Sequence, residues 1–392
     1  MRILIASGFF ESELPSYREY SYSKELAALG HDVTLMCGDQ SHIWRFGRGG
    51  LCPTNPMSAD LEFNRSTGVR LLRRKVFFRI SDFVLYMPSL AAIRNADVVH
   101  VIEFRQGATL LVAMLARAFA KPVVYDHEQR GDRISRWYSR IDSLFRRLLI
   151  FAGSWCVDCV RHTVLANRDH FRSCTPRKVE MIFAPLGADP ERFYYDPKER
   201  ISVREELRIA PQTRIAVMSG KLHALKRVVD VVRACRCAGV RLILIGAMTK
   251  DVRAQIDGLE PGDEIFLPAG EPARLRSVYC AADFAIFTTF TLSYWEAYGT
   301  GIQLVVPDTA FSTLVFHGDV NVVRFGSPNM FRVADEEYLP GADIVGSLID
   351  AVAKTPLQRR VSRSRFCAGT QARDLVELYD RLTTARGLAR AS

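Results

Sequence analysis

The sequence predicts an α/β protein composed of two Rossmann-like domains. The chain has 392 residues, which is more than one hydrophobic core usually supports. Short β-rich runs alternate with helical stretches, and this alternation starts again after residue 200. Strand–helix–strand units of this length favour parallel sheets with helices on both faces. The segment 183–199 between the two series is rich in proline, glycine and charge, so we expect an interdomain linker there.

The first series begins with a short buried strand and an amphipathic helix. Ile3–Ala6 is a continuous apolar run, which is typical of a strand in a parallel sheet. Tyr20–Leu29 has helical periodicity, and Gly30 is the residue type that commonly follows a helix. The same reasoning predicts the strands Val33–Met36, Val98–Ile102 and Val123–Tyr125 and the helix Gly107–Ala120.

The second series repeats this pattern after the linker. Its predicted elements are the strands Arg214–Met218, Arg241–Ile245, Glu264–Leu267, Phe284–Phe287 and Gln303–Val306 and the helices Arg227–Gly239 and Pro272–Ala281. In folds of this class, ligands bind beyond the carboxyl ends of the strands. We therefore expect both sheets to face a ligand-binding cleft between the domains.

The charge of the chain predicts anionic partners. The formal net charge is +10, which suits nucleotide phosphates, acidic lipids or nucleic acid, although many surface arginines without a special role would give the same value. Arginines concentrate at 70–79 and 130–147, and apolar residues at 144–151 lie beside Arg146 and Arg147. A helix of this composition suits an anionic membrane surface, and a core helix with a solvated basic face fits the same pattern.

No segment predicts export, membrane spanning or a metal site. The apolar run at the start is short and is followed by Glu11 and Glu13, and no apolar run reaches the roughly 18 residues of a spanning helix. The expected location is the cytoplasm, with peripheral binding to the inner face of the membrane as an option. The nine cysteines are then expected to be reduced. Cys156, Cys159 and His162 have a metal-like spacing but lack a nearby fourth ligand, so packed thiols are favoured.

The amino-terminal segment carries the first of eight motifs that resemble one family. Leu26 and the run Leu29–Thr34 end the first helix with Leu-Gly-His and begin the next strand with Asp-Val-Thr. Seven more segments follow in the same order as the matching segments of the family-4 glycosyltransferases. They are Ala96–Val101, Pro122–Glu128, Pro185–Phe193, Ser219–Lys226, Leu242–Ala247, Arg274–Phe287 and Trp295–Asp308. Each motif alone is weak, but the shared order is specific, and the resemblance covers nearly the whole chain.

This resemblance implies the GT-B fold and a sugar-transfer reaction. It implies an acceptor domain at 1–190, a nucleotide-sugar donor domain at 191–370 and a closing helix at 371–392 that crosses back to the first domain. The implied reaction moves a sugar from a nucleoside-diphosphate sugar to a lipid-linked, glycan or small-molecule acceptor, with retention and without a metal or another cofactor. The leaving phosphate can take the acceptor proton, so no dedicated base is required.

The segment Ser219–Lys226 is the predicted diphosphate cradle. It follows a predicted strand and precedes a helix, where backbone N–H groups and cations stabilise phosphates. Lys221 and Lys226 match the basic residues that the family uses on the diphosphate, and Gly220 permits close backbone approach. Two surface lysines beside a turn are the alternative interpretation of Lys221 and Lys226.

Three further residues of the second domain are donor-site candidates. Glu296 opens a predicted helix 296–299 and, by resemblance, is the second glutamate of the family's pair, which binds the ribose hydroxyls. A helix-start glutamate favoured by the helix dipole is the alternative. The first glutamate of the pair would stand eight residues earlier, where this chain has Thr288. Gly270 follows the strand Glu264–Leu267, in the loop that usually forms the base-binding wall.

In the first domain the candidates are His127, Glu103 and Glu128. By resemblance, His127 contacts the transferred sugar, while a structural histidine is the alternative. Glu103 and Glu128 are candidates on the acceptor side. In the first loop, Pro15 and Ser16 replace the paired glycines that the family often has there, which limits backbone contact to the donor.

Two other functions fit parts of the sequence. A catalytically silent GT-B protein that binds a nucleotide sugar would explain Thr288. A nucleic-acid-modifying glucosyltransferase would explain the net charge alone and predicts DNA binding that weakens with salt. A dehydrogenase is disfavoured because no G-x-G-x-x-G follows the first strand, where 7–15 read SGFFESELP.

Overall fold

The chain folds into two compact units. The computed structural model describes residues 1–12, 18–40, 57–80, 83–128, 137–289, 291, 293–316, 319, 321–326, 344–355 and 367–391. Unit 1 comprises 1–185 and 368–392, and unit 2 comprises 186–367. The sequence placed the corresponding boundaries at 190 and 370.

Unit 1 is built on a parallel sheet. Its strands in the described residues are β1 (Arg2–Ala6), β2 (Asp32–Gly38), β3 (Arg70–Arg74), β4 (Val76–Ile80), β5 (Phe83–Tyr86), β6 (Val98–Ile102), β7 (Val123–His127), β8 (Cys159–His162) and β9 (Glu180–Phe183). The parallel sheet has the order β3-β2-β1-β6-β7-β8-β9. The side chains of β1 alternate between two cores, with Ile3 and Ile5 in one and Leu4 and Ala6 in the other. Burial on both faces explains why the strand is continuously apolar.

Helices cover both faces of this sheet. They are α1 (Arg18–Ala28), α2 (Met57–Thr67), α3 (Leu90–Asn95), α4 (Ala108–Ala118), α5 (Trp137–Ser154), α6 (Leu165–Cys174) and the carboxyl-terminal α14 (Ala368–Ala391). From α14, Leu375 and Tyr379 are buried in the same core as Ile3 and Ile5. The Tyr379 hydroxyl also lies 2.6 Å from Nδ1 of His100 in β6. The helix that follows unit 2 in sequence is therefore part of unit 1.

Strands β4 and β5 form an antiparallel hairpin that the sequence analysis missed. The segment 70–79 was interpreted as a basic cluster, but it forms β3 and most of β4. Its arginines are partly paired: Arg73 lies 2.7 Å from Asp60. The hairpin is tied to the sheet because the Tyr86 hydroxyl donates to the Ser7 carbonyl at 3.0 Å.

Unit 2 repeats the parallel architecture. Its described strands are β10 (Ile215–Ser219), β11 (Arg241–Ile245), β12 (Ile265–Leu267), β13 (Phe284–Ile286), β14 (Gln303–Pro307) and β15 (Val322–Phe325), in the order β12-β11-β10-β13-β14-β15. Its described helices are α7 (Pro197–Glu206), α8 (Val228–Cys237), α9 (Lys250–Asp257), α10 (Pro272–Ala281), α11 (Ser293–Gly299), α12 (Ala310–Val315) and α13 (Ile344–Lys354). In each sheet the first strand of the unit lies between two later strands: β1 lies between β2 and β6, and β10 lies between β11 and β13. The chain connections therefore leave the first strand towards one side of the sheet and later cross to the other side. The crevice beyond the carboxyl end of this first strand is the usual ligand site of such sheets.

Most predicted elements are confirmed within two residues, and one prediction is wrong. Helix α11 begins at Ser293, so Glu296 lies in its first turn and does not open it. The helix begins before the predicted position because Thr291 binds the first N–H groups of the helix. Its Oγ1 accepts the Ser293 N–H at 3.0 Å, and its carbonyl accepts the Tyr294 N–H at 3.1 Å. Across the described ranges, no helix is long and apolar enough to cross a bilayer.

Candidate functional site

Two glycines bring the ends of β10 and β11 into contact in unit 2. Gly220 follows β10 with φ +96°, and its N–H donates to the Ile245 carbonyl at 2.9 Å. Gly246 follows β11 with φ +139°, and a Cβ there would stand 1.9 Å from the Gly220 carbonyl oxygen. Neither backbone conformation suits a side chain, and no side chain fits at 246. The floor of the predicted phosphate cradle is therefore bare backbone.

Lys226 is the buried cation of this cradle. Its Nζ donates to the Ser219 carbonyl at 3.2 Å. A Cβ added to Gly220 would lie 3.1 Å from the same Nζ. Burial lowers the pKa of Lys226 to about 8, and the positive charge of Lys221 adds to this shift. Among the described residues, no carboxylate is close enough to raise that pKa. Lys221 itself is exposed.

Thr288 holds the backbone of Lys226. The threonine is buried, and its Oγ1 donates to the Lys226 carbonyl at 2.5 Å. Thr288 therefore fixes the turn that presents the ammonium group, a role that its place in the resemblance did not predict. A glutamate in its place would bring a negative charge beside this buried cation.

Ser219, Tyr279 and Glu296 form the polar wall next to the lysine. The Ser219 hydroxyl lies 2.6 Å from the hydroxyl of the buried Tyr279, which donates at 3.4 Å to the Ser293 carbonyl. Burial raises the pKa of the half-buried Glu296 to about 6, against a hydrogen bond from Ser293 and the positive charge of Arg192. The sequence analysis missed Tyr279, which lies 60 residues beyond Ser219 in the chain.

A pocket of about 500 Å³ opens beside Gly246. It lies between α9 and the carboxyl ends of β11 and β12, and its lining includes Met248, Phe266 and Pro268. The Arg253 guanidinium stacks over the Phe266 ring, with Cζ 4.1 Å from the ring centroid. Gly270 is exposed two residues beyond Pro268, and a Cβ there would stand 3.3 Å from the Arg274 side chain. The lining is mostly apolar and also includes Lys250, Arg253 and Asp257, of which the last two form an ion pair at 2.9 Å.

In unit 1, His127 is fully buried and both of its ring nitrogens are engaged. Nδ1 lies 2.9 Å from the Tyr125 hydroxyl, and Nε2 lies 3.2 Å from Nδ1 of His170. Burial holds the pKa of His127 well below its ordinary value, so the ring is neutral. The Tyr125 oxygen accepts the Phe104 N–H at 3.4 Å. The neutral ring of His127 carries one proton, so one of its nitrogens donates and the other accepts.

Glu103 and Glu128 lie beside His127. A Glu103 carboxylate oxygen accepts the Glu128 N–H and lies 3.8 Å from Nδ1 of His127. Glu103 has the unusual φ of +55°, which marks a strained backbone at the end of β6. Glu128 is exposed and pairs with Arg18. The structure thus brings together the three candidates predicted in the first domain.

Asp126 is the centre of a buried ionic network that the sequence analysis did not single out. Its carboxylate lies 2.7 Å from Arg18, 3.1 Å from Arg161 and 3.1 Å from Nε2 of His100. Burial disfavours the charged carboxylate, but Arg161, His100 and Arg18 outweigh this effect and hold the pKa of Asp126 below its ordinary value. The only sequence signal is its place between a strand and His127.

The cysteine spacing noted in the sequence forms no metal cluster in the described residues. No group of three His, Cys, Asp or Glu side chains suited to a metal occurs there. Burial raises the pKa of Cys159 to about 12, and Nδ1 of His162 lies 3.1 Å from the Val164 carbonyl. Pro15, Ser16 and the segment 129–136 of the basic cluster lie outside the described residues.

Comparison with known proteins shows which proteins the chain resembles in sequence and in fold. No protein-family model matches the sequence. A D-inositol 3-phosphate glycosyltransferase of Nocardia farcinica is 30% identical over 248 residues, which cover 55% of this chain and 53% of the relative. The chain thus spans about half the length of the curated relative that it matches.

Two solved structures resemble the chain over almost its whole length. Anabaena HepE, solved in complex with UDP and glucose, has a TM-score of 0.64 at 14% identity, and the match covers 97% of this chain and 100% of HepE. Sucrose-phosphate synthase from Thermosynechococcus elongatus has a TM-score of 0.59 at 14% identity, with 100% and 98% covered. The fold is therefore GT-B, and in motifs and fold the chain resembles the family-4 glycosyltransferases.

Proposed function

We propose that this protein is a retaining, metal-independent glycosyltransferase that moves a sugar from a nucleoside-diphosphate sugar to a lipid-linked, glycan or small-molecule acceptor. Unit 2 binds the donor, and unit 1 contributes the acceptor side. The similarity to a D-inositol 3-phosphate glycosyltransferase and to HepE bound to UDP supports this class of reaction.

The observation that carries the proposal is the buried cation Lys226. An ammonium group taken out of water without a carboxylate partner costs stability in the free protein. A diphosphate that accepts hydrogen bonds from Lys226 and from the neighbouring backbone compensates this cost only when it is bound. The bare glycine backbone at Gly220 and the second cation, Lys221, suit a group with two negative charges.

The rest of the donor extends to either side of this cradle. We place the base in the pocket of about 500 Å³, because its lining reaches Gly246, which contacts Gly220 in the cradle. Glu296 accepts hydrogen bonds from the ribose hydroxyls, which requires its ionised form. Gly270 follows Pro268 of the pocket lining and contributes backbone to the base-binding wall.

The transfer step needs electrostatic stabilisation of the leaving group. The bond between the anomeric carbon and the β-phosphate oxygen breaks, and its electron pair stays on the phosphate. Lys226 and Lys221 stabilise this charge. The acceptor hydroxyl attacks the same face and gives its proton to the leaving phosphate oxygen. We assign to His127, whose neutral ring contacts His170, the orientation of the transferred sugar, as the resemblance implies.

The test is a screen of nucleoside-diphosphate sugars by thermal shift and slow hydrolysis. A donor at a hundred times its dissociation constant should stabilise the protein by about 2.7 kcal/mol. We expect hydrolysis of the donor to persist in the presence of EDTA. We also expect the first product seen by NMR to keep the α or β configuration of the donor sugar. Inversion of configuration would contradict retention, and loss of activity with EDTA would contradict metal independence.

A second candidate is a nucleotide-sugar binding protein without activity. It is favoured by Thr288, whose hydroxyl bonds the Lys226 carbonyl where the family has a carboxylate. This alternative predicts stabilisation by free nucleotides and by donors, with no hydrolysis and no transfer to any acceptor in a panel of lipid-linked and soluble glycans.

We further propose that the protein works in the cytoplasm at the inner face of the membrane. The basic helix predicted from the sequence supports this location, because it is α5 in the structure and carries large exposed apolar side chains.

A further inference from the structure

Helix α5 exposes a continuous apolar stripe. Leu144, Leu148 and Phe151 follow each other at intervals of four and three residues, which places them on one face of the helix, and Trp155 follows in the turn directly after the helix. Their exposed fractions are 60%, 56%, 43% and 55%. The opposite face is buried in unit 1, where Ile150 is inaccessible and a Cβ on Gly153 would collide with the Phe104 ring. The stripe is therefore no part of the core.

The hairpin β4–β5 extends this stripe. The ring of Phe145 in α5 packs against Phe83 in β5 with centroids 5.3 Å apart, and Phe83 packs against Phe78 in β4 at 6.2 Å. Phe78 and Ile80 are themselves exposed. Monomeric proteins rarely expose a connected surface of so many large apolar side chains unless it meets a partner.

The charges around the surface are positive. Arg147 is exposed on α5 and donates to the Ser173 carbonyl at 3.1 Å, whereas Arg146 lies on the buried face of the helix with Ile150 and Gly153. The Arg177 guanidinium stacks over the Trp155 ring at 5.8 Å. The described residues of α5 from Ser143 onward and both strands of the hairpin contain no aspartate or glutamate. The nearest acid along the chain after Trp155 is Asp158, which is already paired with Arg386 at 2.7 Å.

We propose that this surface, made of the α5 stripe with Phe78 and Ile80 of the hairpin, docks unit 1 on an anionic phospholipid bilayer. Apolar side chains enter the headgroup boundary while Arg147 of the helix and Arg177 beside Trp155 meet the lipid phosphates. Trp155 has the amphipathic ring that favours this boundary. A second copy of the chain is a poorer occupant, because a twofold contact through the stripe would bring Arg147 and Arg177 towards their own copies.

This inference is independent of the transfer chemistry, because none of its residues is assigned to the donor or the acceptor. It is tested by co-sedimentation of the full chain with vesicles of phosphatidylcholine alone or mixed in equal parts with phosphatidylglycerol. Binding is expected to the anionic vesicles, to weaken with added salt and to be slight on neutral vesicles.

Two variants separate the apolar from the charged contribution. Leu148→Ser, Phe151→Ser and Trp155→Ser combined should lower the anionic-vesicle partition coefficient at least about tenfold. Arg147→Gln should lower it about fivefold on anionic vesicles and leave neutral vesicles unaffected. The matched control is Ile201→Ser, an equally exposed apolar residue of α7 in unit 2, which should bind like the unchanged protein.

Three results would overturn the proposal. One is an unchanged protein that does not sediment with anionic vesicles. Another is a triple variant that folds, as shown by circular dichroism, and sediments as well as the Ile201→Ser control. The third is a dimer in analytical ultracentrifugation that the triple variant abolishes while vesicle binding stays intact, which would make the surface a contact between copies.

Discussion

Two buried cationic centres, one in each unit, differ in whether their charge is balanced within the chain. In unit 1, Asp126 lies 2.7 and 3.1 Å from the guanidinium groups of Arg18 and Arg161, and Glu128 pairs with Arg18, so two carboxylates balance two cations. In unit 2, Lys226 has a carbonyl and no carboxylate as partner in the described residues. A balanced network stabilises the fold, whereas an unbalanced cation lowers stability and gains from an anionic ligand. Buried cations therefore have different roles in the two units: those of unit 1 stabilise the fold, and Lys226 of unit 2 is suited to an anionic ligand.

The largest expected effect comes from removing the balance in unit 1. Asp126→Asn keeps the shape of the side chain but leaves the buried guanidinium of Arg161 without its carboxylate and Arg18 with only the exposed Glu128. We expect a loss of about 3–5 kcal/mol in the free energy of unfolding, measured by urea denaturation. The matched control is Asp97→Asn, whose ion pair with Arg2 is largely exposed and should contribute at most about 1 kcal/mol. Equal losses in the two variants would contradict the structural role of Asp126.

Removing the unbalanced cation Lys226 should weaken ligand binding without lowering the stability of the fold, which is the reverse of the effect expected at Asp126. Lys226→Met should weaken the binding of a nucleoside diphosphate by about 3 kcal/mol, or more than a hundredfold, because a charged hydrogen bond in a buried site is lost. The free energy of unfolding should stay the same or rise, since a buried charge has been removed. Calorimetric titration and urea denaturation measure the two quantities. Lys198→Met, on the exposed surface of α7, is the control and should change neither. A destabilised variant that still binds nucleotide would refute the assignment.

The pKa of Lys226 predicts a signature in the pH dependence of stability. Its folded value of about 8 lies below the ordinary 10.5, so between these pH values the unfolded chain binds more protons than the folded one. Stability therefore rises with pH across this window, by at most about 3 kcal/mol, and Lys226→Met should flatten this part of the curve. Identical curves for both proteins would show that the lysine is not desolvated.

The same lysine should take up a proton when the diphosphate binds. At pH 8.5 the free protein holds this proton in about a quarter of its molecules, so binding should draw in up to about 0.75 proton. Titration calorimetry in two buffers of different ionisation enthalpy measures this uptake. Lys226→Met, studied at higher nucleotide concentration, should show none, and equal uptake in both proteins would place the titrating group elsewhere.

The smallest expected effect concerns Glu296. Its pKa is about 6, and a protonated carboxyl group accepts fewer hydrogen bonds from a ribose diol. Nucleotide affinity should therefore fall as the pH drops through 6 and level off once Glu296 is protonated, with a total loss of about tenfold. Glu296→Gln should bind more weakly at pH 7.5 and lose this dependence. A 2′,3′-dideoxy nucleotide is the matched ligand control, because without the diol the two proteins should bind it alike.

Part of the fold could be predicted from the sequence, and part could not. The strands and helices around β1, β6, β10 and β11 were predictable because a strand buried on both faces is continuously apolar and the helices between them are amphipathic. Hairpin β4–β5 was missed because Val76–Ile80 exposes most of its apolar side chains and lies in a basic run, so it shows neither alternation nor burial.

Local sequence pattern predicted the proximity of site residues only where they lie on one loop. Gly220, Lys221 and Lys226 share the segment after β10, so their proximity follows from local structure. Asp126 and Arg18 are 108 residues apart, and Ser219 and Tyr279 are 60 residues apart. Such pairs are set by the packing of α1 on its sheet and of α10 beside β10, and no local pattern encodes them. The unbalanced state of Lys226 likewise became visible only when its neighbours were known.

The position of α14 has a consequence for biosynthesis. A ribosome completes all of unit 2 before it releases the residues of α14, which unit 1 needs to cover Ile3 and Ile5. The nascent first unit therefore presents an uncovered apolar groove beside α1 while about 180 further residues are made, and such surfaces invite chaperone binding or aggregation. His100 stays without its Tyr379 partner during the same interval. Synthesis of the last helix, and not of the first 185 residues, completes the folding of unit 1.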